Sequence, residues 1–166
     1  MDFGKNKKVL FLMDVEPELK SFLQRKTDIK PENMLTIQSY GTEIAHPYGD
    51  IMRSIIITIY QENVEEIVVV GTEGKRTVSL DMLSLLDLKN KDLNDNVKMM
   101  DYLFQNCTPE FSRGKVSEWL EGKENITDSI RKSVGMIRHH PLVPSYVKVQ
   151  GFMLNNENEE LSIVYA

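Results

Sequence analysis

The sequence predicts an α/β domain built on a largely parallel sheet. Three short apolar runs carry that reading: "KVLFLM" at 8–13, "NMLTIQSYG" at 33–41 and "EEIVVVG" at 65–71. Each has strand length, and each is followed by a stretch with helical character. Strands alternating with helices indicate parallel pairing, because parallel neighbours need a crossover. The chain closes differently. "YVKVQGFML" and "LSIVYA" are separated only by the polar "NNENEE", which predicts a hairpin and hence an antiparallel edge strand at the C-terminus.

The elements follow in order. Asp14 to Pro17 breaks the first strand, and "EPELKSFLQRK" reads as a helix with Pro17 near its first turn. After the second strand a polar loop through "HPYGD" leads to "IMRSIIITIYQEN" at 51–63. Its β-branched run would suit a strand, but its polar start and end favour a helix buried on several sides. "VSLDMLSLL" continues as a helix after the loop that follows the third strand. Residues 91–106 carry apolar side chains at 93, 97, 100, 103 and 104, a helical stripe. "FSRGKVSEWLEGKEN" is read as a connection with one helical turn around Trp119. The segment 126–140 repeats apolar residues at 126, 130, 134 and 137, with Asn125 and Asp128 placed as a capping box and Pro141 after it.

At 166 residues the chain is expected to form a single domain, 1–166, burying roughly two-thirds of its unfolded surface. Hydrophobic residues make up 41% and charged residues 27%, values ordinary for a globular protein. A formal net charge of −5 and a pI near 5.3 argue against nucleic acid and anionic membranes as partners. The longest apolar run, "SIIITIY", is far short of the roughly 20 residues of a membrane span. The N-terminus lacks a signal-peptide core, and the single Cys107 cannot form an internal disulfide. Both point to the cytoplasm.

One stretch imitates a nucleotide site. In "VVVGTEGKRT", 68–77, a strand runs into glycines, a lysine and a threonine. A phosphate loop needs four residues between its glycines and a Lys-Ser/Thr pair, so that backbone N–H groups wrap the phosphate. Here only two residues separate Gly71 from Gly74, and Arg76 lies between Lys75 and Thr77. The spacing fails.

Over nearly its whole length the chain resembles the β-class carbonic anhydrases. That family follows its first strand with Cys-x-Asp-x-Arg, where this chain has Leu12-Met13-Asp14-Val15-Glu16. Its second strand ends in Arg-Asn-Ala-Gly, a segment that Gln38 to Gly41 replace here. "HPYGDIMRSI" looks like the loop and helix start of one bacterial branch. The family's Gly-His-x-x-Cys-Gly falls on Gly71-Thr72-Glu73-Gly74-Lys75-Arg76, and "SVGMIRHHPLVPSYVKVQGFML" is similar to its helix, His-Pro turn and fourth strand. The fold-carrying residues match and the motif residues do not.

The resemblance implies zinc as cofactor, held by two cysteines and a histidine, with an Asp-Arg pair controlling the fourth position. Those ligand positions are occupied by Leu12, Thr72 and Lys75, and the pair by Asp14 and Glu16. Leucine has no lone pair to offer, threonine is a poor ligand and a protonated lysine repels the cation. No zinc is therefore expected. His46, His139 and His140 fall at positions that are not ligands in the family. Asp14, Glu16 and Lys75 together leave one net negative charge, so Lys75 is expected to pair with Asp14 or Glu16 and plug the old site. Read without the family, Asp14 is a cap on the following helix. Lys75 and Arg76 could instead hold a small anion such as bicarbonate or phosphate at a helix start, against the opposition of Glu73 and Glu16. Arg53 is read as a brace, Cys107 as a partly buried hydrophobe, and the two adjacent histidines as a helix terminus.

The functional expectation is a non-catalytic binding or regulatory protein related to CO2 and bicarbonate metabolism. Two alternatives stand beside it: carbonic anhydrase or related hydrolase activity through a rearranged site, and a small-anion sensor. The apolar segment 51–60 needs a second apolar surface, and with the family's dimers this predicts a homodimer. A catalytic homologue is the other partner envisaged.

Overall fold

The structure, a computed structural model, describes residues 3–4, 6–73, 82–89, 93–107, 114–122 and 125–166. Its elements are β1 (Val9–Asp14), α1 (Leu19–Lys26), a 3₁₀ turn (Pro31–Asn33), β2 (Met34–Ser39), α2 (Asp50–Glu62), β3 (Glu66–Glu73), α3 (Met82–Lys89), α4 (Leu93–Asn106), α5 (Val116–Glu121), α6 (Ile126–Arg138), β4 (Lys148–Asn155) and β5 (Glu160–Val164). They form two compact units, Met1–Thr77 with Asn125–Ala166, and Val78–Glu124.

The first unit holds a five-stranded sheet in the order β2-β1-β3-β4-β5. The first three pairings are parallel and β4–β5 is antiparallel, as the repeated strand–helix pattern and the short polar connection require. Both faces of β1 are buried, which is why its sequence is a continuous apolar run and not an alternation. Val9, Phe11 and Met13 join Val68, Val70, Phe152 and the α1 residues Leu19, Phe22 and Leu23 in one core. Leu10 and Leu12 join Ile67, Val69 and the buried stripes of α2 and α6 in the other. The ambiguous apolar segment is indeed helical: α2 buries Met52, Ile55 and Ile59, and Asn63 ends it in the left-handed conformation that Asn tolerates.

Helix α6 packs unusually close to the sheet. A Cβ on Gly151 would lie 2.5 Å from Ile130 Cγ2, and one on Gly71 would lie 2.7 Å from Ile126 Cγ2. The helix starts as expected with Asn125, whose side chain accepts from the Asp128 N–H at 3.2 Å. Helix α1 departs from expectation. Its N-cap is Glu18, which makes no side-chain cap bond, and Pro17 lies before the helix.

The second unit is helical. Within it Asp101 accepts from the first N–H of α5 (2.8 Å), and Glu121 accepts from the Met82 N–H at the start of α3 (3.0 Å). These carboxylates satisfy N–H groups that a helix start leaves unpaired. The predicted stripe on α4 buries only Phe104 fully, edge-on to Trp119 at 5.8 Å. The expected single turn around Trp119 is a six-residue helix, α5.

Candidate functional site

In an open parallel sheet, ligands bind outside the carboxyl ends of the strands where the strand order reverses. With β1 between β2 and β3, that point lies at the ends of β1 and β3. Asp14 is the last residue of β1, and Thr72 sits near the end of β3. Val15 N–H donates to Ser39 O (3.1 Å), so the end of β2 is tied in as well.

Asp14 is 6% exposed. Burial pushes its carboxyl up to about 6, and Glu16 adds to the rise; the Thr72 and Gly41 backbone N–H groups and the Thr72 hydroxyl pull it down. These donors crowd the carboxyl without closing a well-formed bond on Oδ1, which has no hydrogen-bond partner. Thr72, 2% exposed, also leaves its Oγ1 without one. Asp14 thus does not cap α1, as its residue type suggested. It is a strand-end carboxyl sealed in by the neighbouring strand and loop.

The structure brings together three of the sequence-derived site residues: Asp14 and Thr72 at the two strand ends, and Glu16 close enough to Asp14 to be felt electrostatically. Leu12 is fully buried and packed in the apolar core that includes Ile44, Met52 and Ile55. Lys75 and Arg76 lie outside the described residues, and with them the expected ion pair and the anion site. Among the described residues no group of three or more His, Cys, Asp or Glu side chains is placed to hold a metal ion. The donor set does not fit zinc. At the three positions that the resemblance implies for the ligands, the sequence has an aliphatic side chain, a hydroxyl and an ammonium.

The remaining candidates lie elsewhere. His139 caps α6, its Nδ1 2.8 Å from Gly135 O. His140 is buried, accepts from the Leu142 N–H at Nδ1 (3.2 Å) and meets the Tyr48 ring edge-on at 5.4 Å. It therefore faces the protein interior, unlike the exposed His139 at the helix terminus. His46 accepts from the Tyr48 N–H. Arg53 is exposed on α2, and Cys107 is half-buried at the end of α4.

Sequence reasoning missed the loop between β2 and α2, read as a polar connection. Thr42 and Ile44 are buried there. Ser133 of α6, fully buried, donates to Thr42 O (2.6 Å) and accepts from the Ile44 N–H (2.9 Å). Glu43 accepts from Ser129 Oγ (3.2 Å) and pairs with Lys132. A serine inside a helix gives no sign of such a bond 91 residues away. The one available signal was Ile44, an apolar residue in a polar stretch.

Fold and site define an α/β protein that buries a carboxyl at its switch point and, among the described residues, holds no cluster of side chains placed to bind a metal. No family model matches the chain. It is 56% identical to the carbonic anhydrase-like protein YbcF of Bacillus subtilis (strain 168) over 163 residues, 98% of this chain and 90% of that one. Its fold is similar to that of a β-carbonic anhydrase from Trichomonas vaginalis, with a TM-score of 0.68 and 20% identity over 99% of this chain and 85% of that one. A tetrameric β-carbonic anhydrase from Sordaria macrospora has a TM-score of 0.57 and 12% identity, covering 98% and 83%. The chain belongs to the β-carbonic anhydrase family, as a carbonic anhydrase-like member.

Proposed function

We propose that this chain is a non-catalytic binding or regulatory protein of CO2 and bicarbonate metabolism, acting in the cytoplasm as a homodimer. The observation that carries the reading is the core packing of Leu12, the residue at which the resemblance implies a zinc ligand. Zinc-dependent hydration works because the metal lowers the pKa of bound water to about 7 and so supplies hydroxide. Nothing in the described crevice has that effect. The oligomer is supported by Ile56 and Ile57, half-buried on α2 beside its fully buried stripe, and by the tetrameric state of the Sordaria relative.

A second reading has one observation in its favour. A carboxyl held at about 6 lies near the range of a general base, so Asp14 could activate water in a rearranged hydrolase site. Metal content and CO2 hydration, measured on tag-free protein purified without chelators, decide between the two. The expected result is substoichiometric zinc and no rate above the uncatalysed reaction. About one zinc per chain, or a hydration rate that Asp14→Asn abolishes, would overturn the non-catalytic reading.

A further inference from the structure

Two buried oxygens at the carboxyl edge of the sheet have no hydrogen-bond partner: Asp14 Oδ1 on β1 and Thr72 Oγ1 on β3. Both side chains are buried, at 6% and 2% exposure. The register brings them together, because Met13 pairs with Val70 and so sets Asp14 beside Gly71, the neighbour of Thr72. Adjacent strands lie about 4.8 Å apart, which puts both side chains within reach of one small molecule. A buried polar atom left unpaired costs roughly 1–3 kcal/mol, and two of them on neighbouring strands call for a shared partner. The place is also close to solvent. Val15, the next residue of the chain, is 38% exposed, and Glu16 is half-buried.

The chemistry of the pair selects the partner. A carboxylate oxygen only accepts, and a hydroxyl oxygen has lone pairs to accept with, so a molecule that satisfies both must donate. Glu16, two residues on, adds a second negative charge at the same strand end. An anion would meet two carboxylates here, and bicarbonate, with a single O–H, could donate to one oxygen only. We propose that the Asp14–Thr72 crevice binds a small organic cation with N–H donors, of the primary ammonium or guanidinium class, giving one N–H to Asp14 Oδ1 and another to Thr72 Oγ1. The inference rests on the reading of this crevice as a binding site without metal, and it names the class of ligand the crevice takes. The bond to the carboxylate is charge-assisted, the stronger kind, and the hydroxyl adds direction.

The test is a titration of the isotope-labelled full chain, followed by nuclear magnetic resonance at constant ionic strength and at about pH 7.5, where the Asp14 carboxyl is ionised. The probes are methylammonium and guanidinium. Tetramethylammonium serves as a cation of equal charge without N–H, and bicarbonate as the anion. An N–H probe is expected to move the Asp14 carboxyl carbon and Thr72 amide resonances saturably, while tetramethylammonium and bicarbonate leave them in place. Asp14→Asn and Thr72→Val keep the side-chain shapes, and each should weaken that binding about tenfold or more, read at the resonance that remains. If either variant fails to fold, the comparison of N–H probes with tetramethylammonium still decides. An equal response to tetramethylammonium, a saturable response to bicarbonate, or no saturable response to either N–H probe would overturn the proposal. So would binding that appears only in Lys75→Ala, which would assign the place to the chain's own ammonium. Zinc content and hydration rate do not enter the readout, so failure here leaves the non-catalytic reading standing.

Discussion

Asp14 is the residue whose environment departs furthest from its chemistry. Its unfolded pKa is near 3.9, and burial holds the folded value at about 6. The folded state therefore binds the proton more tightly than the unfolded chain. The neutral carboxyl is tolerated fully below about pH 4, and stability is lost as the pH rises through about 6. The difference amounts to roughly 3 kcal/mol once the carboxyl is ionised in both states. Asp14→Asn removes the ionisation, so its thermal stability relative to the unmodified chain should improve from pH 4 to pH 8. A constant difference across that range would show that Asp14 is not the group responsible. Glu66, buried at the opposite ends of the strands and bonded to Gln150 Nε2 at 2.7 Å, is also raised by burial. The Asp14→Asn comparison isolates one carboxyl from the other.

Helix α6 shows what could and could not be read at the level of elements. Its period of apolar residues, its Asn125 cap and its end before Pro141 are all local, and all were legible. The buried strands were legible for the same reason, since burial on two faces writes itself as a continuous apolar run. Register was not legible. Nothing local says that Gly71 and Gly151 lie under Ile126 and Ile130, or that Ser133 meets Thr42. The unpaired oxygens of Asp14 and Thr72 were hidden likewise, because only the alignment of β1 with β3 brings them to one place. The closeness of α6 gives a direct prediction. Gly151→Ala forces Ile130 and Val134 aside and should cost about 2 kcal/mol in urea unfolding. In an Ile130→Ala background the penalty should fall below about 1 kcal/mol, because the added methyl then occupies the vacated space. Additive penalties would place the strain elsewhere.

At the scale of the molecule, the proposed function predicts that no step of folding or assembly calls on a metal. Zinc that bound the native state alone would raise its melting temperature, and chelation would lower it. Neither zinc nor a chelator is expected to move the transition of this chain, as differential scanning calorimetry would record. The proposed homodimer is a separate matter, since it draws on the outer side of α2 and not on the crevice. Sedimentation velocity at micromolar concentration is expected to give twice the 19.2 kDa chain mass. A monomer at that concentration would remove the dimer from the proposed function and leave the metal argument as it stands.

On the proposed reading that Leu12 stands at a zinc-ligand position, its packing gives the change of ligand set a direction. Its side chain is shared by the cores of β1, α2 and the loop at Ile44, so the volume a zinc thiolate would need is already in use. Restoring a cysteine there would exchange a full aliphatic side chain for a smaller one and lose about 2 kcal/mol of packing before any metal arrived. Core and metal site compete for the same few cubic ångströms. Substituting Leu12, Thr72 and Lys75 alone would therefore leave a partly emptied core, and the way back to a metalloenzyme runs uphill through less stable intermediates.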